Sequence, residues 1–303
     1  MLDYMVSLYR TVPVSSDCLS AWLARWLARE QSRCHDHHFS AAFPWRETGL
    51  PQHTFLQREL TINGQRYLTG PRYLGGDLAQ PFIDVIARDG ALDFAAADAI
   101  MRAWQVLNPL RLRVLLPVTH AEIGFTDQLL FLSDPASLPE PVTGELSLVT
   151  ASRRDFPACL AAIHHAYRVS RQTLPHLRDQ LQATSRQELR DDIADGHVRL
   201  IVWQERMAGL IICVPRQTAF IEGFQIMDEV IIPACQGRGL AASAQRLLLR
   251  QLHLHHGERA LLTGTILPGN LPSLRTACNA GRRCVLKYQF FTPADLRTGG
   301  LIG

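Results

Sequence analysis

The stretch Gln236-Gly237-Arg238-Gly239-Leu240-Ala241-Ala242 sets two glycines and an arginine after the apolar run VIIP and at the head of the leucine-rich segment LAASAQRLLLRQL. An anion is what such a turn can hold. The first N–H groups of a helix have no partners inside it, and the aligned peptide dipoles leave partial positive charge there. Glycine allows φ > 0 and lets the backbone come close to a bulky group. Arg238 adds a charge-assisted donor. Together these suit a phosphate or pyrophosphate. Glycine in a strand-to-helix turn also has a purely steric use, so the turn by itself leaves both readings open.

Other residue types invite chemistry too. Glu222, Asp228 and Glu229 interrupt the apolar segment AFIEGFQIMDEVIIP. A carboxylate in such a setting is a candidate general base, while solvation of a half-exposed strand would put the same residues there. Strand alternation gives Glu222 and Asp228 a common face. CHDHHF (Cys34–Phe39) holds a cysteine and three histidines that can bind zinc, but no second ligand pair is spaced to complete a site, and a solvated loop explains it better. The histidines of HLHHG (His253–Gly257) suit a helix C-terminus electrostatically. The seven cysteines are scattered and lack C-x-x-C spacing. They make neither a disulfide framework nor a zinc ribbon, and read as small buried hydrophobes. No metal is expected.

These residues need elements to position them. In the C-terminal half ELSLVTA reads as a strand, FPACLAAIHHAY as a helix, and RQELRDDIADG as a helix stopped by Gly196. HVRLIVWQ and MAGLIICVP read as strands joined by a tight turn at Glu205-Arg206, and AFIEGFQIMDEVIIP as one long strand. A helix from about Gly239 to His255, the strand RALLTGTIL, the short helix PSLRTACNAG and the strand CVLKYQFF follow. The order β-α-α-β-β-β-α-β-α-β predicts a mixed sheet flanked by helices.

The N-terminal half opens with a helix, SSDCLSAWLARWLARE, capped at Ser16. Leu19, Trp22, Leu23, Trp26 and Leu27 share one of its faces. Core packing fits it better than membrane binding, since its polar face mixes signs. TFLQRELTINGQRYLTG reads as a hairpin turning at Asn63-Gly64. QPFIDVIA, DFAAADAIMRAWQVL and LRVLLPV read as strand, helix and strand. SDPASLPEPVTG has three prolines and reads as an extended linker. The expected organisation is a smaller α/β (α+β) domain over 1–132, a linker over 133–144 and a second domain over 145–303.

The turn does not stand alone. Gln236-Gly237-Arg238-Gly239-Leu240-Ala241 resembles the Q/R-x-x-G-x-G/A signature of the GNAT superfamily of acyl-CoA-dependent N-acetyltransferases. VIIP resembles the end of that family's fourth strand, and Asn270 with Ser273 and Gly281 resembles its N-x-x-S/A…G motif. The element order of 145–293 agrees. The resemblance implies a V-splayed mixed sheet with acetyl-CoA as cosubstrate in the cleft. It implies that the backbone of Glu229, Val230 and Ile231 pairs with the pantetheine arm like an added strand. It implies that the N–H groups from Gly237 to Ala242 hold the pyrophosphate, and that Asn270 contacts pantetheine or orders the next turn. The N-terminal half also loosely resembles a degenerate second GNAT unit; a substrate-capping domain is equally compatible.

Acetyl transfer to an amine needs a base, a donor for the developing oxyanion and a proton for the thiolate. The resemblance implies that a backbone N–H near Ile231 is the oxyanion donor. It makes Asp228, five residues before Pro233, the base candidate, with Glu222 and Glu229 behind it. Glu229 stands where the family is usually apolar, so it faces the cleft at a bulge or is an exception. His164 and His165 fall on a helix that lines the acceptor pocket in the family. The family's general-acid tyrosine is replaced by Ala277, and Arg282 follows Gly281 where phenylalanine is frequent. Water, Cys278 or Tyr288 would have to protonate the thiolate. A chain that binds acyl-CoA without turnover, a sensor or scaffold, is the alternative reading. The chain has neither G-x-G-x-x-G nor a P-loop, which argues against another nucleotide-binding α/β fold.

The totals agree with this. With 303 residues and 47% apolar content, two domains with real cores are affordable. No apolar run approaches a bilayer span, and MLDYMVSLYR has no basic n-region, so a cytoplasmic protein without a membrane partner is expected. The net charge is +3, with 19 basic and 13 acidic side chains over 145–303. That excess suits an anionic ligand and is too mild for nucleic acid. The acceptor is expected to be a primary amine of a small molecule or peptide, and a homodimer is compatible with the sequence.

Overall fold

The computed structural model describes residues 1–133, 145–257, 260–297 and 302. The expected linker lies outside these residues, apart from Ser133. The chain divides into two compact units, Met1–Leu129 with Val285–Gly303, and Leu130–Cys284. The sequence reading placed 285–303 with the C-terminal half; the contacts place these residues in the first unit.

In chain order the elements begin with α1 (Leu2–Leu8), α2 (Ser16–Ser32), α3 (His37–Ala41) and α4 (Trp45–Thr48). Then come β1 (Arg58–Ile62), β2 (Gln65–Tyr73), β3 (Pro81–Arg88), α5 (Phe94–Ala103), β4 (Arg111–Pro117) and β5 (Phe125–Ser133). The later elements are β6 (Leu146–Thr150), α6 (Phe156–Thr173), α7 (Arg186–Ala194), β7 (Val198–Trp203), β8 (Arg206–Pro215) and β9 (Phe224–Ile231). The last are α8 (Leu240–His256), β10 (Leu262–Ile266), α9 (Leu271–Asn279) and β11 (Arg282–Phe291).

In the first unit the strand order is β1-β2-β3-β4-β11. β3 and β4 are parallel across α5, and the other pairs are antiparallel. The hairpin turns at Asn63-Gly64, both at positive φ, as the sequence predicts. The apolar stripe of α2 is buried, and Ser15 rather than Ser16 caps it. Trp104 is fully buried at the heart of this core; its ring N–H donates to Thr69 at 2.9 Å. β11 pairs with β4 from Leu286↔Pro117 to Phe291↔Leu112.

In the second unit the order is β5-β10-β9-β8-β7-β6, with β9 and β10 parallel across α8 and β6 to β9 antiparallel. Leu130, Phe131, Leu132 and Ser133 of β5 are buried here, and the Ser133 hydroxyl accepts the Leu262 N–H at 2.9 Å. Cys159, Ile163 and Ala166 of α6 pack with Leu189 and Ile193 of α7 against Leu210 and Ile212 of β8. On α8, Leu248 and Leu249 pack with Ile211, Cys213 and Leu262.

Each half repeats one order: strand hairpin, helix, parallel strand, final strand. The first is β2-β3-α5-β4-β5 and the second β8-β9-α8-β10-β11, the second with α9 inserted between β10 and β11. Two local expectations are corrected. The β7–β8 turn is Gln204-Glu205, not Glu205-Arg206; both residues have positive φ, and Trp203 pairs with Arg206. The segment from Ala219 is not one long strand. Thr218 and Ile221 close a tight turn on each other, with Ala219 at φ 54, before β9 begins. Buried apolar residues such as Phe220 and Ile221 give no periodic signal that separates strand from turn. β5 and α1 were not foreseen at all.

Candidate active site

β9 and β10 pair only at Leu262↔Phe224 and Thr263↔Gln225. Beyond that point they part, and Ile226–Ile231 face Gly264–Ile266 across a cleft of about 640 Å³, within the ordinary range for a ligand site. A bulge in β9 helps to open it. Asp228 pairs with Ile212 and Ile226 with Cys213, so Met227 is the extra residue. A bulge bends its strand and breaks alternation. Glu222 precedes β9 and is not among the described residues lining the cleft. The common face inferred for Glu222 and Asp228 therefore does not follow.

Asp228 and Glu229 both line the cleft and have different surroundings. Asp228 is buried. Its carboxylate accepts from the Tyr167 hydroxyl at 3.1 Å and from the Thr184 hydroxyl and N–H at 2.8 and 3.4 Å. Burial raises its pKa, and the Thr184 and Tyr167 hydrogen bonds oppose the rise. Burial and the nearby Asp228 charge also push the Tyr167 hydroxyl well above its ordinary value.

Glu229 belongs to a second group. Its Oε2 accepts from the Gln245 amide of α8 at 2.7 Å, and the Gln245 Oε1 accepts from Arg282 at 3.2 Å. Burial pushes Glu229 up to about 7 against the pull of Gln245 and Arg282. Burial likewise lowers Arg282 to about 10. Glu229 Oε1 and Arg282 Nε have no protein partner among the described residues. A Cβ at Gly264 would lie 2.7 Å from the Arg282 guanidinium, so a side chain there would have to displace it.

The glycine turn stands at the cleft mouth, and Gln236 to Ala242 line it. Gly237 and Gly239 have φ 76 and 72. A side chain at either would meet nothing within 4 Å, so left-handed backbone rather than space requires glycine. α8 begins at Leu240 with no side-chain cap, whereas Ser15, Asp93, Ser185 and Asn270 cap α2, α5, α7 and α9. The first-turn N–H groups of α8 are thus left for an external acceptor. Arg238 stacks on the Trp203 ring at 5.0 Å. The Gln236 amide donates to the Ile231 carbonyl at 3.1 Å, holding the turn to the end of β9. Glu229, Val230 and Ile231 line the cleft as well. Asn270 also lines it, and its side chain accepts the Ser273 N–H at 3.3 Å, so it orders the turn into α9.

The other sequence candidates lie elsewhere. Ala277 is fully buried in α9. Cys278 is exposed and not among the cleft residues. Tyr288 is in the first unit, beneath the Arg113 guanidinium at 4.6 Å, and burial raises it to about 12. His164 lines a second cavity, which His165 does not. Asp36 of CHDHHF caps α3 through the N–H groups of His38 and Phe39. No His, Cys, Asp and Glu group among the described residues could hold a metal ion. The sequence pattern does not single out Tyr167 and Thr184, which hydrogen-bond Asp228. They lie 61 and 44 positions from it, and no local pattern connects them.

No family model matches the sequence, and no curated protein does. Solved structures do. One is an acetyltransferase of the GNAT family from Colwellia psychrerythraea, 8% identical with TM-score 0.45, the match covering 74% of this chain and 85% of the other. A GCN5-related N-acetyltransferase from Sphaerobacter thermophilus is 12% identical with TM-score 0.47, covering 74% and 76%. Another, from Kribbella flavida, is 16% identical with TM-score 0.39, covering 80% and 93%. The likeness of this chain to these acetyltransferases is one of fold.

Proposed function

We propose that the chain is an N-acetyltransferase of the GNAT superfamily, moving an acetyl group from acetyl-CoA to a primary amine. The observation that carries this reading is an uncapped helix N-terminus with two left-handed glycines at the mouth of a cleft between two parted parallel strands. Gln236 to Ala242 would hold the pyrophosphate, with Arg238 and Arg275 adding charge at the rim. Backbone of β9 freed from β10 would pair with the amide groups of pantetheine. The thioester is the chemistry that the cosubstrate supplies.

The first unit keeps the element order without the anion site. Its corresponding helix, α5, is capped by the carboxylate of Asp93, which accepts the Ala96 N–H at 2.8 Å. A carboxylate there repels a phosphate. This supports one working cleft and a degenerate second unit.

In the working cleft Asp228 is the base. Tyr167 and Thr184 hold it in place, and burial makes it more basic than an exposed carboxylate. It takes the proton of the attacking ammonium or amine, directly or through one water. A backbone N–H near Ile231 is suited to the oxyanion. The thiolate is a fair leaving group near neutral pH, so the missing tyrosine at Ala277 leaves turnover within reach. The second reading, acyl-CoA binding without turnover, rests on that buried alanine.

The test is direct. Acetyl-CoA should bind by calorimetry and thiol should appear with a suitable amine. Asp228→Asn should lower kcat by about 10²–10⁴ with acetyl-CoA affinity unchanged. Absence of acetyl-CoA binding would remove both readings; tight binding with no thiol release across a broad amine panel would leave the second.

A further inference from the structure

Tyr167 also lines a second cavity, of about 600 Å³, with His164, Arg168, Arg171, Gln172, Arg178 and Ala183. Asp228 accepts from Tyr167, and Thr184, the residue after Ala183, holds the other carboxylate oxygen. The proposed base therefore stands at a wall shared by the cleft and this cavity.

The lining is one-sided in charge. Three arginines and a histidine face it, and no aspartate or glutamate is among its described lining residues. Arg168 and Arg171 stand one turn apart on α6, and Arg178 follows the short 3-10 turn Pro175–Leu177. Arg171 donates to the Leu181 carbonyl at 3.3 Å. The guanidinium groups of Arg168 and Arg178 have no protein partner among the described residues. The three guanidinium groups are exposed to solvent around this open concavity, and an anion seated among them would meet favourable charge from each. Arginine presents paired donors matched to carboxylate and phosphate oxygens.

We propose that this cavity binds the anionic end of the acceptor, which is a primary amine carrying a carboxylate or a phosphate. The inference rests on the acyl-transfer reading, because the amine must reach Asp228 while its other end lies among the arginines. It excludes polyamines and lysine-rich peptides, whose second charge would meet three cations.

Four short amines test it with the full-length protein and acetyl-CoA: 4-aminobutanoate, 2-aminoethyl phosphate, n-butylamine and 1,4-diaminobutane. One of the two anionic amines should exceed n-butylamine at least tenfold in kcat/KM, with the diamine slowest; which anion leads separates carboxylate from phosphate. Arg168→Glu combined with Arg178→Glu should abolish that preference through KM, with acetyl-CoA affinity by calorimetry unchanged, which also reports that the variant is folded. Equal rates for all four, or a preference for the diamine, overturns the proposal. If acetyl-CoA does not bind, the acyl-transfer reading fails by itself. If no amine turns over, calorimetry with 2-aminoethyl phosphate and 4-aminobutanoate decides: binding of one, lost in the double variant, supports the anion site, and binding of neither overturns it.

Discussion

Glu229 and Asp228 are neighbours in sequence with separate surroundings, because each is held by its own partners. Glu229, Gln245 and Arg282 form a buried polar chain where apolar packing would be cheaper. Its first consequence is a pH dependence. The fold keeps the Glu229 proton up to about 7, whereas the ordinary value is 4.5. Between those values the native state binds a proton that the unfolded chain has released, so this group makes stability fall as pH rises through the window. Glu229→Gln should flatten that part of the curve, seen in urea midpoints from pH 4.5 to 8; parallel curves for the two proteins would refute the assignment. Gln245→Leu should cost about 1–3 kcal/mol for each group it strands, read from the same urea titration at pH 7.

At the scale of elements, α8 and its turn are the proposed pyrophosphate site. Gly237→Val forces a branched side chain into left-handed backbone, at about 1–2 kcal/mol, and crowds the approach of a pyrophosphate. KM for acetyl-CoA should rise at least tenfold, while KM for S-acetylpantetheine, which lacks the pyrophosphate, should hold. An equal rise for both would place the pyrophosphate elsewhere. This element was legible in the sequence because everything needed lies within seven residues, from Gln236 to Ala242. β9 was less so. One extra residue, Met227, shifts the faces of the strand; the apolar run itself does not mark it, and only the family resemblance at Glu229 offers a bulge as one of two readings. Hence Asp228 lines the cleft, while Glu222, placed with it on one face by simple alternation, lies beyond the bulge and outside the described lining.

For the whole molecule, the assignment of final strands matters most. Leu130–Ser133 of β5 belong to the second unit, and Val285–Gly303 to the first. A cut within 134–144 therefore removes from each fragment a strand on which its own core depends. Residues 145–303 alone should be insoluble or lack a cooperative urea transition, and co-expression with 1–133 should restore a soluble, acetyl-CoA-binding complex. A stable, cofactor-binding 145–303 fragment would contradict this.

What the sequence determined by itself were the features written in adjacent residues: the glycine turn, the hairpin at Asn63-Gly64, the buried stripe of α2 and the helix-strand order of the second half. These depend on φ preferences, N–H geometry and hydrophobic period, all of them local. Only the tertiary structure decided which chain segments meet. It brought Tyr167 and Thr184 to Asp228, tied Glu229 to Arg282 through Gln245, gathered three arginines around one concavity with Tyr167, and put β11 next to β4. Strand pairing and buried polar contacts join residues tens to hundreds of positions apart, and their energies depend on partners that no local pattern names.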